Sequence, residues 1–342
     1  MFKPKYNITQ KLLSNIKQVA ILINELNHKR FSSIVYAEME QRARSLSVYS
    51  STSIEGNPLA LTDVKNLLKN TPKQARDTEK EILNYNEALT YLHTLIKKPV
   101  FLNNSLILEI QKIVTKEIIE KYRNGKFRNE PVFVNDPRTR KTIYLPPDSK
   151  DVVSLLNDLN TFIKDNEGVT DLLILAGIFH KQFVIIHPFV DGNGRTARLA
   201  TKILLAKMGL NTFDLFSFEN YYNKNVTKYF ATVGVFGNYY ELNNTDFTSW
   251  LEYFTDGIID ELLRVKKEIS NKGLALDGKN LKKELGIILD YINKHSSITE
   301  AVYKEMTNRA RSTRALDFKQ LCELKLIKRF GAGKNTYYTL AE

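Results

Sequence analysis

Positions 187 to 198 read His-Pro-Phe-Val-Asp-Gly-Asn-Gly-Arg-Thr-Ala-Arg. These twelve residues hold an imidazole, a carboxylate, an amide, two glycines and two guanidiniums. A neutral imidazole titrating near pH 6.5 is suited to take a proton from an attacking hydroxyl, which makes His187 a candidate general base. Gly192 and Gly194 allow a tight loop whose N–H groups converge on the start of the next helix, a ready anion site. Arg195 and Arg198 stand at i and i+3, on one face near that helix's positive end, where a di- or triphosphate would relieve their repulsion. Asp191 suits Mg²⁺, which binds through one or two carboxylates together with phosphate oxygens and water. Base, metal ligand, N–H cradle and charge neutralisers are the parts that phosphoryl or nucleotidyl transfer requires. Singly, each residue has a plainer use: a His beside Pro caps a helix, Asp-Gly makes a turn, and an Arg pair decorates a solvated face. Their joint order favours the chemistry.

The elements around this string are helical. Leu12, Leu13, Ile16, Val19, Ala20, Ile23 and Leu26 recur at helical spacing, and similar patterns fill 78–97, 104–121, 149–163, 170–187, 195–208, 224–236 and 246–269. Two places read as strand pairs. One is Pro131-Val-Phe-Val and Lys141-Thr-Ile-Tyr-Leu around the turn-rich stretch from Asn135 to Arg140. The other is Leu326–Phe330 with Thr336–Leu340. Glycines and lysines interrupt the pattern at 271–283. The division this suggests is an N-terminal helical region at 1–100, a core at 101–270, a linker at 271–283 and a small domain at 284–342.

The 187–198 string resembles the signature of the Fic family, His-x-Phe-x-Asp/Glu-Gly-Asn-Gly-Arg-x-x-Arg, at every specified position: His187, Phe189, Asp191, Gly192, Asn193, Gly194, Arg195 and Arg198. The resemblance covers roughly residues 30–270. It implies a mainly α fold, a Fic-type helical bundle with a β-hairpin flap at 131–145. It also implies AMP transfer from ATP to a Ser, Thr or Tyr hydroxyl of a target protein and of the chain itself. His187 would be the base and Asp191 the Mg²⁺ ligand. Gly192, Asn193 and Gly194 would form the anion hole, Arg195 and Arg198 would grip phosphates, and Phe189 would anchor the loop. Relatives that transfer other groups depart from Asp-Gly-Asn-Gly, which is intact here. The flap would pair with a target segment as an added strand. Tyr221, Tyr222, Tyr229 and Phe230 fall where relatives contact adenine, or they serve the core; the resemblance makes Tyr229 the expected ATP contact.

Ser51-Thr-Ser-Ile-Glu55-Gly56 places Ser51 and Glu55 one helical turn apart, with Gly56 suited to the αL residue that ends a helix. It resembles the family's inhibitory motif, Ser/Thr-x-x-x-Glu-Gly/Asn, whose glutamate competes with phosphate for the second motif arginine, here Arg198. In some relatives this glutamate instead orients water to remove AMP, so addition and removal both stay open. A further alternative is a regulator that uses the fold only to sense nucleotide.

The formal net charge is +12, and residues 309–334 carry eight Lys/Arg against Asp317 and Glu323. Three helices and a hairpin over 284–342 look like a winged helix, with Arg311, Ser312, Thr313 and Arg314 opening its recognition helix. DNA, or a second copy of the chain in a homodimer, is the partner such a module implies. Cys322 is the single cysteine, no stretch is apolar enough for a membrane span, and Met1-Phe-Lys-Pro-Lys-Tyr leads into no apolar run. These features give the expectation of a cytoplasmic protein that does not engage membranes.

Overall fold

The computed structural model describes all residues except 1, 30–32, 99, 136–140, 243–244, 277–282, 296, 324–325, 334–335 and 341–342. The chain divides into two compact units, one of Met1–Arg30 with Ala37–Lys266 and one of Phe31–Tyr36 with Lys267–Glu342.

The helices of the first unit are α1 (Gln10–Asn27), α2 (Ser33–Ile54, of which 33–36 belong to the second unit), α3 (Leu61–Lys69), α4 (Asp77–Leu95), α5 (Asn104–Val114), α6 (Val152–Asn166), α7 (Leu172–Ile186), α8 (Asn193–Leu205), α9 (Glu219–Asn223), α10 (Val226–Val233) and α11 (Thr248–Leu276, of which 267–276 belong to the second unit). Helix α7 is apolar except for His180, Lys181 and Gln182, and nearly all of it and of α8 is buried. A helix buried on all sides belongs at the centre of a bundle, and α4, α5, α6 and α10 pack against this pair. Val48, Ile82, Tyr85, Ile110 and Val114 pack with Leu199 and Ile203 of α8. From α11, Trp250 Nε1 donates to Gly177 O at 2.7 Å.

Three expectations are corrected. The buried stripe of α1 is Leu12, Asn15, Val19, Leu22 and Leu26, while Leu13 is exposed. Buried Asn15 donates to Thr255 Oγ1 and Asp256 Oδ1, and these polar bonds turn the stripe away from the purely apolar one. Helix α5 stops at Val114 rather than continuing to 121, although Ile118 and Ile119 keep the spacing. Its last carbonyls are claimed from outside, Lys112 O by Asn124 Nδ2 at 2.9 Å and Val114 O by Asn84 Nδ2 at 3.4 Å. The third concerns strands. Strands β1 (Val134–Asn135) and β2 (Thr142–Leu145) pair antiparallel, and β3 (Gly237–Asn238) adds to β2 in parallel. A two-residue strand has no period to read in sequence, and its pairing is set by the edge it meets. The turn at 136–140 lies outside the described residues.

The second unit holds α12 (Lys283–His295), β4 (Ile298–Thr299), α13 (Glu300–Met306), α14 (Arg311–Glu323), β5 (Ile327–Phe330) and β6 (Tyr337–Leu340). Its sheet has the order β4-β6-β5, so here too a short unforeseen strand extends the hairpin. Leu285, Ile288, Ile292, Tyr303, Phe318 and Leu321 form its core. Helix α11 runs to Leu276, into the stretch read from sequence as a linker, and 277–282 lie outside the described residues. No helix among the described residues is long and apolar enough to cross a membrane.

Candidate active site

Pro188 cannot continue α7, and the helix closes on His187 in the left-handed region at φ 51°, ψ 61°. Non-glycine residues rarely adopt that geometry, and here backbone contacts hold it. Arg128, 4% exposed, donates from Nε to His187 O at 2.8 Å and from its backbone N to Pro188 O at 3.0 Å, and its Nη2 reaches Pro147 O at 2.5 Å. One buried guanidinium thus ties the base of the flap to the candidate base. Tyr144 of β2 adds a second tie, from its hydroxyl to Ile185 O at 2.9 Å.

His187 Nδ1 lies 3.3 Å from Val184 O. A carbonyl only accepts, so Nδ1 carries the proton and Nε2 keeps its lone pair. Burial pushes the ring's pKa down to about 4, with the charge of Arg128 adding to it against the hydrogen bond to Val184. The imidazole is therefore neutral across the physiological range.

The loop that follows is locked from inside. Asn193 accepts from Phe189 N at 2.9 Å and donates to Phe189 O at 2.8 Å. Phe189 is fully buried and stacks on Phe127 at 5.6 Å. Asn193 holds the loop's shape, and the first N–H groups of α8 are left as the anion donors. Gly192, at φ 81°, is the residue before α8. At Gly194 a Cβ would collide with Glu55 Oε1 and come within 3.1 Å of Arg198 Nη1. Glycine there is what allows those two groups to meet.

Arg198 is fully buried. Its Nη2 donates to Glu55 Oε1 at 2.7 Å and to Ser51 O at 2.8 Å, and its Nε donates to Ser51 Oγ at 2.8 Å. Burial opposes its charge, but the field of Glu55, then of Tyr229 and Tyr85, outweighs this and raises its pKa. Arg195, 3% exposed, donates from Nη2 to both oxygens of Asp191 at 3.0 Å, and its Nη1 lies 3.4 Å from Glu81. Its Nε and Nη1 are buried without a hydrogen-bond acceptor among the described residues. Orphaned guanidinium donors beside helix N–H groups are chemistry that fits a phosphate. The Asp191 side chain, 40% exposed and hard in its donor chemistry, fits one carboxylate position of Mg²⁺.

A cavity of about 480 Å³ gathers most of these groups, a size usual for small-molecule sites. Ser53, Glu55, His187, Asn193, Gly194, Arg198 and Tyr229 line it, with Ile143 and Tyr144 from β2 and Val226, Phe230, Val233 and Phe236 making an apolar wall. Asp191, Gly192, Arg195 and Ser51 do not line it. Tyr222 is fully buried among aromatic rings and belongs to the core. Sequence reasoning missed Arg128, His180 and Lys181. The signal for the last two was the polar run His180-Lys181-Gln182 inside an otherwise apolar helix.

A helical unit in which a glycine loop feeds a buried, arginine-bearing helix defines the class. Residues 101–205 match the Fic/DOC family. It is 29% identical over 217 residues to the protein adenylyltransferase Fic of Aedes aegypti, covering 58% of this chain and 42% of that protein. It is 30% identical over 214 residues to that of Nematostella vectensis, covering 58% and 48%. The chain thus spans less than half the length of these curated relatives. Among solved structures, a Fic family protein from Desulfovibrio desulfuricans superposes with TM-score 0.64 at 17% identity, covering 99% of this chain and 98% of that one. A Fic domain containing signaling protein from Bacteroides thetaiotaomicron gives 0.63 at 19% identity, covering 75% and 97%. These two likenesses concern the fold.

Proposed function

We propose that this chain is a protein adenylyltransferase that uses ATP and restrains itself through Glu55. The observation that carries the reading is a single cavity lined by a neutral His187 and by an Arg198 already paired with the carboxylate of Glu55, the residue that follows α2. His187 Nε2 takes the proton of a target Ser, Thr or Tyr hydroxyl as its oxygen bonds the α-phosphorus. The bond from that phosphorus to the β-phosphate bridging oxygen breaks, and pyrophosphate leaves. Arg195, Arg198 and the N–H groups at the start of α8 bind the phosphates. Asp191 would hold Mg²⁺, which supplies neutralisation of phosphate charge when bound. With Glu55 on Arg198, the phosphates lose the guanidinium they need.

Intact protein mass after incubation with Mg²⁺ and ATP tests this. Glu55→Gly should gain a 5′-AMP adduct that wild type gains slowly and that Glu55→Gly/His187→Ala does not gain. Equal incorporation by wild type and Glu55→Gly would sink the brake. Because Glu55 lines the cavity together with His187, the same site also supports AMP removal, and release of AMP from a modified target would reveal it. Retention of His187 and Asp191 favours an enzyme over a pure nucleotide sensor, since a sensor needs neither base nor metal ligand.

The reading extends to a cytoplasmic setting and to a winged-helix role for 284–342 that contacts DNA. The order of α12, α13 and α14 with a three-stranded sheet supports it, as do exposed Arg311, Lys319, Lys328 and Arg329. The basic set is smaller than the sequence suggested, because Arg314 and Arg309 are turned inward. Arg314 pairs with Glu300 at 2.6 Å, and Arg309 with Glu284 at 3.1 Å and Asp317 at 3.2 Å. Lys325 and Lys334 lie outside the described residues. A gel shift with random duplex DNA at low salt tests the contact, and absence of any shift removes it.

A further inference from the structure

His180 lies on α7 two turns before His187 and is fully buried. Trp250 and Tyr229 pack on its ring at centroid distances of 5.2 and 6.0 Å, with Phe218 and Phe254 at 6.4 and 6.2 Å. Burial first, and then the positive charge of Arg198, push its pKa well below the ordinary value, so the ring is neutral and carries one N–H. Its neighbours decide which nitrogen holds that proton.

Thr201 Oγ1 lies 3.0 Å from Nδ1 and spends its own proton on Ala197 O at 2.7 Å. It can therefore only accept from His180, which places the proton on Nδ1. Nε2, 2.9 Å from the Tyr229 hydroxyl, must accept. Tyr229 then donates to His180 and keeps its oxygen lone pairs for its other neighbour, Arg198 Nη1 at 3.5 Å. Without that acceptor the phenol proton would be free to rotate toward the guanidinium and repel it.

The other hydrogen bonds of Arg198 run to Ser51 and Glu55 of α2 and the residue that follows it. Whatever lifts Glu55 acts on this segment, whereas Tyr229 belongs to α10. We propose that His180 is a positioning residue for nucleotide binding: by accepting from Tyr229 it turns the phenol oxygen onto Arg198 and holds the guanidinium in register for phosphate once Glu55 is gone. The proposal rests on the ATP reading of the cavity.

The test uses the full chain carrying Glu55→Gly, with ATP affinity measured by calorimetry, KM and kcat by AMP incorporation, and melting temperature alongside. His180→Phe and Tyr229→Phe should each weaken ATP binding about tenfold, appearing in KM more than in kcat, as expected for one hydrogen bond to a charged group. The two together should do no worse than either alone. His180→Gln, whose amide oxygen can occupy the place of Nε2, should recover most of the affinity. If His180→Phe lowers the melting temperature but leaves ATP affinity intact, or if the two effects multiply, the proposal is overturned. Tyr229→Phe removes a single oxygen and carries the test alone should His180→Phe fail to fold; unchanged affinity there overturns it as well. ATP binding with this pattern but no AMP adduct would sink the transfer reading and leave the positioning role standing. No ATP binding by the Glu55→Gly parent removes both.

Discussion

Two helices of this chain open with arginines three residues apart, α8 with Arg195 and Arg198 and α14 with Arg311 and Arg314. In sequence the two pairs look alike, each a clamp for an anion. In the structure the second arginine of each is buried and each is paired with a glutamate, Arg198 with Glu55 at 2.7 Å and Arg314 with Glu300 at 2.6 Å. The settings differ. Glu55 arrives from 143 residues upstream, follows the last turn of α2, and lines a cavity that Arg198 also lines. Glu300 is 14 residues away at the start of α13, and Arg314 is further bonded to Arg309 O at 2.6 Å. A guanidinium paired at a cavity edge can exchange its carboxylate for a phosphate. One paired beside a small core, with a backbone carbonyl as well, holds that core together.

The largest effect should come from the base that only the first region possesses. His187→Ala in the Glu55→Gly background should lower AMP incorporation by about 10²- to 10⁴-fold with ATP affinity nearly unchanged, because general-base contributions are of that order and the imidazole is not a phosphate ligand here. Retained transfer would mean the cavity holds another base. Next come matched truncations of the two arginines. Arg198→Met should weaken ATP binding about 10²-fold, as loss of a desolvated charge-assisted contact does. Arg314→Met should leave ATP affinity alone and lower stability by about 1–2 kcal/mol, a modest value because Glu300 is partly solvated and screened. A loss of ATP binding in Arg314→Met would break the comparison.

How much of this was legible follows the same line. The motif residues were readable because their chemistry is local: Pro188 ends a helix, Gly192 turns the chain, and α8 begins at once. Glu55 was readable only through resemblance, since nothing at positions 51–56 announces Arg198. Arg314 was misjudged because charge along the chain does not say which way a guanidinium turns, and Glu300 lies on another helix. The end of α5 was hidden for a related reason. Its stop is imposed by Asn84 and Asn124, whose amides reach the last-turn carbonyls from elsewhere, while the apolar spacing runs on. Arg128 escaped notice because its partners are backbone carbonyls, which no residue pattern reveals.

The acid limb of the reaction sharpens the role of burial in the first region. An ordinary histidine, titrating near 6.5, would lose about tenfold in base form by pH 5.5. His187, held at about 4 by burial first and then by Arg128, should stay neutral there. Thus kcat/KM of Glu55→Gly, which reports the free enzyme, should change less than about twofold between pH 7 and 5.5 and fall only below about pH 5. The same shift has a cost in stability. The unfolded chain takes up this proton near 6.5 and the folded chain only near 4, so the contribution is complete above about pH 6.5 and declines as pH falls through that window. A rate that halves near pH 6.5 would place His187 in water.

The smallest effect separates the two arginines of α14. Arg311 is exposed at the first turn and Arg314 is not, so only Arg311 can meet a phosphate without breaking an internal pair. If 284–342 contacts DNA, Arg311→Gln should weaken binding a few-fold, equally across duplex sequences, and reduce the slope of log affinity against log salt by about one. Arg314→Met should leave that slope unchanged, because a guanidinium already neutralised by Glu300 releases no counterion from DNA. An equal loss of slope in both would mean that Glu300 gives way to phosphate, and the second region would then exchange its carboxylate just as the first does.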